Sequence, residues 1–549
     1  MSVKDVTADT STEQSPLLAT ATHHTDEETS HSAENGTHEG SNVPIPTNPS
    51  TTELLLVMSG TWLGSFLAAI DSTIIATLTA PISASFNSLS LLSWLASSYF
   101  IATAAFQPLS GRLTDIFSRK WGLVAANLAF GVGNLVCGLA KREWVMIFGR
   151  VVAGCGGGSL NSISTFVGSD LVPLRRRGLW QGFANIMYGV GAGLGAVFGG
   201  WINDISGWRT AFLMLVPFTA VCTILVFWNV NIPVKQSDRV AIKRVDFMGA
   251  GSLVLTLVLL LLGLNSGGNL VPWNHPLVYV SLVVSALSLL AFIYIERHHA
   301  SEPVIPVQLM VDRTVLAACF TNWFTSMAIF AILYYGPIYF QVKGLSTTAA
   351  GGRLAPHSVG LAVGSVGTGL VMRKTGRYYY LHCGIMAVFT TACAIMSCFT
   401  LDSPLWVTLI SIFMAGLGYA GMLTVTLLAL ISAVEHEHQA AITSASYAFR
   451  STGSAIGITI ASAVFQNLLS RYLWAALRGQ KDAAEIIARL RDNLEVIKTL
   501  PEDIKLPVQE AYMESLRGVF LTTLGISAVA WLASLAMREH VLYSSLSRK

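Results

Sequence analysis

The sequence predicts an all-α membrane protein with fourteen transmembrane helices, and three observations lead to this class. Charged residues make up only 12% of the 549-residue chain, and the mean hydropathy is +0.57. Apolar runs long enough to cross about 30 Å of hydrocarbon recur from residue 54 onward. Short loops rich in lysine and arginine alternate with loops that nearly lack them. Such a chain has too few charged residues to cover a soluble surface, so lipid must cover it.

The first fifty residues differ in composition from the rest. They are rich in Ser, Thr, His and Glu and hold eight acidic residues against one lysine, so the remainder carries a net charge of +10. This composition cannot bury a core, and it predicts a disordered cytosolic tail over 1–53. Within the tail, Glu13, Leu17 and Leu18 resemble an acidic dileucine sorting signal, which a sorting adaptor would bind. A chance match is the alternative for so short a pattern.

The apolar runs organise the remainder into two predicted bundles. Residues 54–230 form an N-terminal six-helix bundle, 247–296 two inserted helices, and 314–537 a C-terminal six-helix bundle, before a cytosolic tail over 538–549. The fourteen runs are 54–80, 91–110, 121–140, 144–169, 178–202, 209–230, 247–266, 277–296, 314–341, 348–371, 379–399, 404–430, 438–465 and 516–537.

Loop charge predicts the orientation of these helices. With the tail in the cytosol, the basic residues gather in the cytosolic loops. Five of the opposite loops together hold a single basic residue, Lys343, and only the short loop 141–143 holds more. The long loop 466–515 is charged and non-cytosolic, but long segments translocate with little regard to charge. Five apolar residues recur there at helical spacing: Ile486, Ile487, Leu490, Leu494 and Ile497. They predict a short amphipathic helix that either lies on the membrane surface or caps the exit.

A charged turn, Gly111 to Lys120, separates the second and third runs. It resembles the loop-2/3 signature of major facilitator transporters, although Ile116 and Ser118 replace the usual arginine and glycine. The resemblance implies that Gly111, Asp115 and Arg119 form a cytoplasmic latch between two helices. The segment 369–377 echoes this turn in the second half, as expected for parallel six-helix repeats.

Further motifs narrow the resemblance. Leu67-Ala-Ala-Ile-Asp71-Ser-Thr73 and Arg150-Val-Val-Ala-Gly154 are similar to signatures of fourteen-helix drug:proton antiporters. The fifth run resembles their antiporter motif, except that Ala196 replaces a proline. This run has closely spaced glycines, which let a neighbouring helix approach closely. The interface is expected either to slide or only to pack tightly, and its glycines include Gly191, Gly195, Gly199 and Gly200.

Within that branch, three stretches resemble fungal vacuolar basic amino acid transporters. They are Trp62-Leu-Gly-Ser-Phe-Leu, Ala105-Phe-Gln-Pro-Leu109 and Ser169-Asp-Leu-Val-Pro-Leu-Arg-Arg-Arg-Gly178. The resemblance implies a monomeric, proton-coupled antiporter that moves lysine, arginine or histidine into the vacuole across the vacuolar membrane. Two alternatives stay open: a drug or siderophore exporter of the plasma membrane, and a nutrient sensor that binds without transport. The sequence has no nucleophile elbow, metal-ligand spacing, phosphate loop or clustered basic face, so it predicts no enzyme, no cofactor, no metal and no nucleic-acid partner.

Two charged residues inside the first bundle are candidates for coupling. Asp71 lies about seventeen residues into the first run, well inside the hydrocarbon. A carboxylate there is a functional candidate, either as a proton carrier or as the group that receives a cationic substrate. A structural hydrogen bond, for example to Ser72 or Thr73, is the alternative. Arg150 is a candidate partner for proton coupling or for a substrate carboxylate, unless it extends to the nearby membrane surface.

The second bundle contributes the remaining candidates. Arg450, in the thirteenth run, is expected either to pair with an acid on the cytoplasmic side as a gate or to hold helices together. His357 would titrate in an acidic lumen, or is a packed neutral histidine. Four residues are candidates to line a substrate cavity, where aromatic rings attract cations: Asn185, Trp323, Tyr335 and Tyr419.

Overall fold

A computed structural model gives the fold. It describes residues 51–86, 91–172, 174–232, 246–267, 271–300, 309–434, 439–478, 480, 483–492 and 494–540. The sorting pattern of Glu13, Leu17 and Leu18 lies outside the described residues. For Gly111 and Asp115 the structure describes the helical backbone only.

The described residues form sixteen α-helices and no named strand, which confirms the predicted all-α class. In chain order they are α1 Thr51–Phe86, α2 Leu91–Phe117, α3 Arg119–Leu139, α4 Glu143–Leu171, α5 Leu174–Ser206, α6 Trp208–Asn229, α7 Phe247–Ser266, α8 Pro276–His298, α9 Arg313–Val342, α10 Thr347–Gly352, α11 Ala355–Thr375, α12 Tyr379–Ser397, α13 Leu405–Ala433, α14 Gln439–Ala476, α15 Ala483–Asp492 and α16 Glu502–Leu535.

Helix length alone and helix length combined with apolar composition give different numbers of membrane-spanning segments in the described chain. Each of the fourteen predicted runs has a helix of at least 19 residues within the described ranges. Twelve segments of the described chain are both long and apolar enough to span a membrane, and α2 and α4 are not among them. Those two helices are rich in Ser, Thr and Gly, and α4 also contains Arg150 of the site described below. The count of fourteen crossings therefore stays a prediction.

The predicted charged turn over 111–120 is wrong. Helix α2 continues through Phe117 and α3 begins at Arg119, so a single residue, Ser118, separates them. Ser118 has φ 125° and ψ 145°, and it is the one non-glycine residue with positive φ in the described chain. That backbone region is almost exclusive to glycine because a Cβ atom is strained there. The unusual serine of the motif therefore occupies a position with a physical demand for glycine.

Replacement of Ser118 by glycine should stabilise the protein. The change removes backbone strain of about 1–3 kcal/mol and loses about 0.5–1 kcal/mol to the extra freedom of the unfolded chain. The Tm of the purified protein in detergent should rise for Ser118→Gly, and Ser118→Ala, which keeps the Cβ atom, should not raise it. An equal or lower Tm for the glycine variant would contradict the strained geometry.

The helices pack as two groups with an inserted pair. Within the first group, α1 packs on α5 and α6, and α4 packs on α2 and α3. Within the second group, α9 packs on α14 and α16, and α13 packs on α11 and α12. The groups meet where α2 contacts α14, α5 contacts α10 and α11, and α1 contacts α9. Helices α7 and α8 pack together, and α7 also contacts α2 and α14.

We call the side of the membrane with the lysine- and arginine-rich loops the basic side, and the other the opposite side. On the opposite side, α14 and α16 extend past the predicted runs, so α16 begins at Glu502 rather than near 516. The predicted run 348–371 is divided into α10 and α11, and Pro356 lies in the first turn of α11.

The predicted amphipathic helix of the long loop is present as α15, followed by a 3₁₀-helix over Leu494–Thr499. Its apolar residues do not lie on a membrane surface. Ile487 and Leu490 are buried in the protein core, and the 3₁₀-helix packs on both α1 and α16. The Tyr512 hydroxyl of α16 donates to the Leu490 carbonyl at 2.5 Å, which fixes the segment. Of the two predicted placements, the structure favours the cap over the membrane-surface helix.

Candidate functional site

A central cavity lies between the two helix groups. Its volume is about 50 Å³, and most of the residues that line it have a polar side chain; they come from α1, α4, α5, α11, α13 and α14. Among the predicted site residues, Asn185 and Arg450 line it. The cavity also has two tyrosines that sequence reasoning missed, Tyr188 and Tyr447. A volume of this size admits water but is well below the range of about 300–1,000 Å³ typical of pockets that bind small molecules.

Asp71 and Arg150 form an ion pair inside the membrane region. The Arg150 Nη1 atom donates to Asp71 Oδ2 at 2.8 Å, and both side chains are fully buried. The pair joins α1 to α4. The glycines of α4 also allow close packing on α2, because a Cβ atom on Gly154 would overlap the backbone of α2. Arg150 does not extend to the membrane surface, so the snorkelling alternative is wrong.

The surroundings of this pair are nearly apolar. Arg150 Nε donates to the Leu95 carbonyl at 3.3 Å, and the guanidinium carbon lies 4.3 Å from the centre of the Tyr99 ring. Asp71 Oδ1 and Arg150 Nη2 are buried with no hydrogen-bond partner among the described residues. A buried ion pair with incompletely satisfied atoms is a costly arrangement. It is therefore a place where the charge state of one partner has a large effect on the surrounding packing.

The pair also lies beside a contact between the two helix groups. The Tyr334 hydroxyl of α9 donates to the carbonyl of Ser72 at 2.9 Å, one residue from Asp71. On the same opposite half of the membrane, Ser97 Oγ lies 3.0 Å from Thr459 Oγ1, and the Phe100 and Phe330 rings are 4.7 Å apart. At the membrane edge, the Thr348 hydroxyl donates to Asp204. These contacts close the opposite side between the groups, with Asp71 behind them.

Helix α5 provides a closely packed interface on two sides. A Cβ atom on Gly195 would lie 2.6 Å from the Ile70 carbonyl of α1, and one on Gly200 would lie 2.8 Å from the Thr347 carbonyl of the second group. Gly191 and Gly199 also face α1, at 2.6 Å from Phe66 and Ile74 atoms. The close approach expected from the glycines is present. Whether the helices slide there stays a prediction.

Several predicted site residues lie away from the cavity. His357 is 3% exposed and its backbone carbonyl packs against Gly416 of α13. Tyr335 is buried against Phe465, with ring centres 5.2 Å apart, and Tyr419 is also buried. Trp323 packs on Phe324 at 5.1 Å. In this conformation Trp323, Tyr335 and Tyr419 are not among the residues that line the central cavity, and their role in a substrate cavity stays a prediction.

The basic side has an ion pair that the motif alone did not indicate. Arg119 Nε donates to Asp170 Oδ2 at 3.1 Å, and both side chains are nearly buried. The same arginine donates from Nη1 to Thr114 Oγ1 at 2.5 Å, and it lies over the Phe166 ring at 5.2 Å. Arg119 therefore ties the end of α2 and the start of α3 to the end of α4. This pairing agrees with a latch, which for Asp115 stays a prediction.

Comparison with known proteins gives the family. The model of the Major Facilitator Superfamily matches residues 61–458. The chain belongs to the major facilitator superfamily. It is 36% identical to "Multidrug resistance protein fnx1" of Schizosaccharomyces pombe, over 90% of this chain and 94% of that protein. It is 30% identical to "Vacuolar basic amino acid transporter 1" of Saccharomyces cerevisiae, over 89% and 93% of the two chains.

A solved structure of the same fold supports the architecture of this transporter. The bacterial homologue of the human lysosomal transporter Spinster, in its inward-facing unoccupied form, superposes with a TM-score of 0.62. It covers 89% of this chain and 98% of its own, at 15% identity. The predicted major facilitator fold is confirmed, and the chain is a multi-pass membrane transporter rather than an enzyme.

Loss of the latch carboxylates should slow this transporter. Asp115→Asn and Asp170→Asn should each reduce the transport rate about fivefold or more, which is the lower end of typical conformational coupling. Expression of Asp115→Asn should stay normal, whereas Asp170→Asn removes an ion-pair partner of the nearly buried Arg119 and should lower the yield of folded protein. The measurement is the initial uptake rate per folded molecule, and Asp402→Asn, in an exposed loop on the opposite side, is the control. Wild-type rates in both variants would leave the segment a topogenic charge cluster.

Proposed function

We propose that the protein is a proton-coupled antiporter that moves lysine, arginine and histidine into the vacuole across the vacuolar membrane. The observation that carries the proposal is the buried pair of Asp71 and Arg150, because a proton-coupled carrier needs a group that binds and releases a proton within the membrane. Relatives named as vacuolar basic amino acid transporters support the substrate and the location.

The geometry suggests how the groups act. In the present state Asp71 is bound to Arg150 and lies behind the contacts that close the opposite side. Opening of that side separates α1 from α9 and breaks the bond from Tyr334 to the Ser72 carbonyl. Asp71 is then reached from the acidic lumen and takes up a proton, which weakens its bond to Arg150. Return to the closed state restores the pair, and the proton leaves toward the basic side.

Transport itself is the first test. Vacuoles isolated from cells with and without the protein should be compared for ATP-dependent uptake of labelled lysine, arginine and histidine. An uncoupler should abolish the difference, since accumulation depends on the proton gradient. Specific binding without flux would instead favour a nutrient sensor, and uptake that an uncoupler leaves unchanged would contradict proton coupling.

A second candidate is export of lipophilic drugs or siderophores at the plasma membrane, and the name of the fnx1 relative favours it. The residue types that line the central cavity favour a polar solute instead. The lining has serine, threonine, asparagine and tyrosine side chains with one arginine, and few aliphatic side chains. Such a lining suits a small polar solute better than a lipophilic one. Drug resistance conferred by the protein, in the absence of amino acid uptake, would favour the exporter.

Location is tested through the tail. Leu17→Ala/Leu18→Ala should redirect a fluorescently tagged protein from the vacuolar membrane to another membrane, since these two residues belong to the recognisable sorting pattern of the tail. Val43→Ala/Ile45→Ala changes two apolar residues of the same tail and serves as the control. Unchanged vacuolar fluorescence of the Leu17/Leu18 variant would remove the pattern from consideration.

A further inference from the structure

Arg450 is the one charged side chain among the described residues that line the central cavity. It lies on α14, near the middle of the membrane region, and is partly exposed to the cavity. Arg150, the other arginine deep in the membrane, is by contrast fully buried and bound to Asp71. The two arginines therefore occupy different environments: one is neutralised inside a helix group, and the other faces the space between the groups.

Among the described residues, the guanidinium of Arg450 has aromatic neighbours and no acidic one. Its central carbon lies 4.7 Å from the centre of the Tyr447 ring and 5.9 Å from that of Tyr188. The described residues give it no ion pair, so the predicted gate with a cytoplasmic acid is not present in this conformation. Rings partly compensate a cation but not as well as a carboxylate does. The energetic cost of keeping this charge in the membrane points to a ligand that supplies the negative charge.

The neighbouring groups define the shape of that ligand. Tyr188 comes from the first helix group and Tyr447 from the second, so both groups contribute to the site around one guanidinium. Asn185 donates to Ser365 Oγ at 3.4 Å across the same boundary, and Thr165 Oγ1 lies 3.4 Å from the Tyr447 hydroxyl. These groups are neutral hydrogen-bonding partners. A planar guanidinium among them suits bidentate binding of a carboxylate.

We propose that Arg450 binds the α-carboxylate of the substrate, so that the cavity accepts amino acids and rejects amines that lack this group. The inference rests on the proposed transport of basic amino acids and assigns the end of the molecule by which they are held. The cationic side chain of the substrate is repelled by Arg450 and points away from it. Recognition of the carboxylate then separates lysine from cadaverine, arginine from agmatine and histidine from histamine.

The wild-type protein tests this without any substitution. Unlabelled lysine, arginine and histidine should inhibit uptake of labelled arginine into vacuoles at concentrations about 10–100-fold lower than their decarboxylated counterparts, as expected for loss of a charge-assisted hydrogen bond. The methyl esters should behave like the amines. Equal inhibition by each amino acid and its amine would overturn the proposal.

Variants of Arg450 sharpen the test. Arg450→Gln should remove the discrimination, so that amino acid and amine inhibit equally, and Arg450→Lys should keep part of it because it retains the charge but not the bidentate geometry. Arg489→Gln, at an arginine 69% exposed on α15, is the control. If Arg450→Gln does not fold, the shift in Tm of the purified wild type with lysine or cadaverine gives the same comparison without flux. A variant that folds and still prefers amino acids by the wild-type ratio would contradict the assignment.

The outcomes separate this inference from the proposed function. If basic amino acids are taken up but their amines compete equally, the proposed function stands and the role of Arg450 is wrong. If no basic amino acid binds but neutral amino acids stabilise the protein and their amines do not, the carboxylate site stands and the proposed substrate class is wrong.

Discussion

Asp71→Asn should abolish gradient-driven accumulation of substrate while leaving substrate binding intact. Asparagine keeps the size of the side chain and still accepts a hydrogen bond from Arg150, but it cannot take up or release a proton. It also leaves the Arg150 charge without its counterion, so binding and uptake are measured per folded molecule. Asp71 does not line the central cavity and is fully buried against Arg150, so its loss should not remove a contact to the substrate. Uptake by the variant should fall to the level that the wild type shows in the presence of an uncoupler. Exchange of labelled for unlabelled substrate should continue.

Binding and uptake measured on one preparation decide between the two roles of Asp71. If the carboxylate instead receives the cationic group of the substrate in another conformation, Asp71→Asn should weaken binding by about 2–5 kcal/mol, the usual cost of removing one partner of a buried charge pair. Asp402→Asn provides a matched change of charge in an exposed loop. Wild-type binding together with wild-type accumulation would make Asp71 a structural residue.

The class of the protein was readable from the sequence because lipid imposes a strong rule. A helix that crosses a membrane must be apolar over about 20 residues, so composition and run length alone predict the helices. The ends of the helices were less predictable. Helix α2 continues through Arg112 and Asp115 to Phe117, because charged residues outside the hydrocarbon are compatible with helix. The helix ends at the strained backbone of Ser118, and this strain depends on tertiary packing, so the sequence alone does not reveal it.

The sequence predicted which charged residues belong to the site but not which of them contact each other. A buried carboxylate and a buried arginine are each unusual enough in a membrane to be noticed alone. The contact of Asp71 with Arg150, however, joins residues 79 positions apart and depends on how α1 and α4 pack. The aromatic candidates lacked any such signal. Tyrosine and tryptophan are common in helices of any orientation, so Tyr335 and Tyr419 carried no signal that separated them from Tyr188 and Tyr447.

Removing the arginine of the buried pair should have a large effect on folding. Arg150→Met leaves the Asp71 carboxylate without its partner in an apolar environment, and breaking such a pair typically costs about 3–5 kcal/mol. The amount of folded protein, measured by fluorescence-detected size-exclusion chromatography and by Tm, should therefore fall sharply. Arg150→Lys should fall less, because the lysine keeps a positive charge near Asp71.

The double variant Asp71→Asn/Arg150→Met should restore folding without restoring transport. With both charges removed, no uncompensated ion remains in the membrane, and the neutral pair packs at little cost. Transport should stay absent because neither a proton-binding group nor its partner is left. If the double variant folds no better than Arg150→Met, the pair contributes little to stability, and the arginine acts through Leu95 and Tyr99. If it folds and also accumulates substrate against a gradient, coupling does not pass through this pair, and the proton must bind to another group.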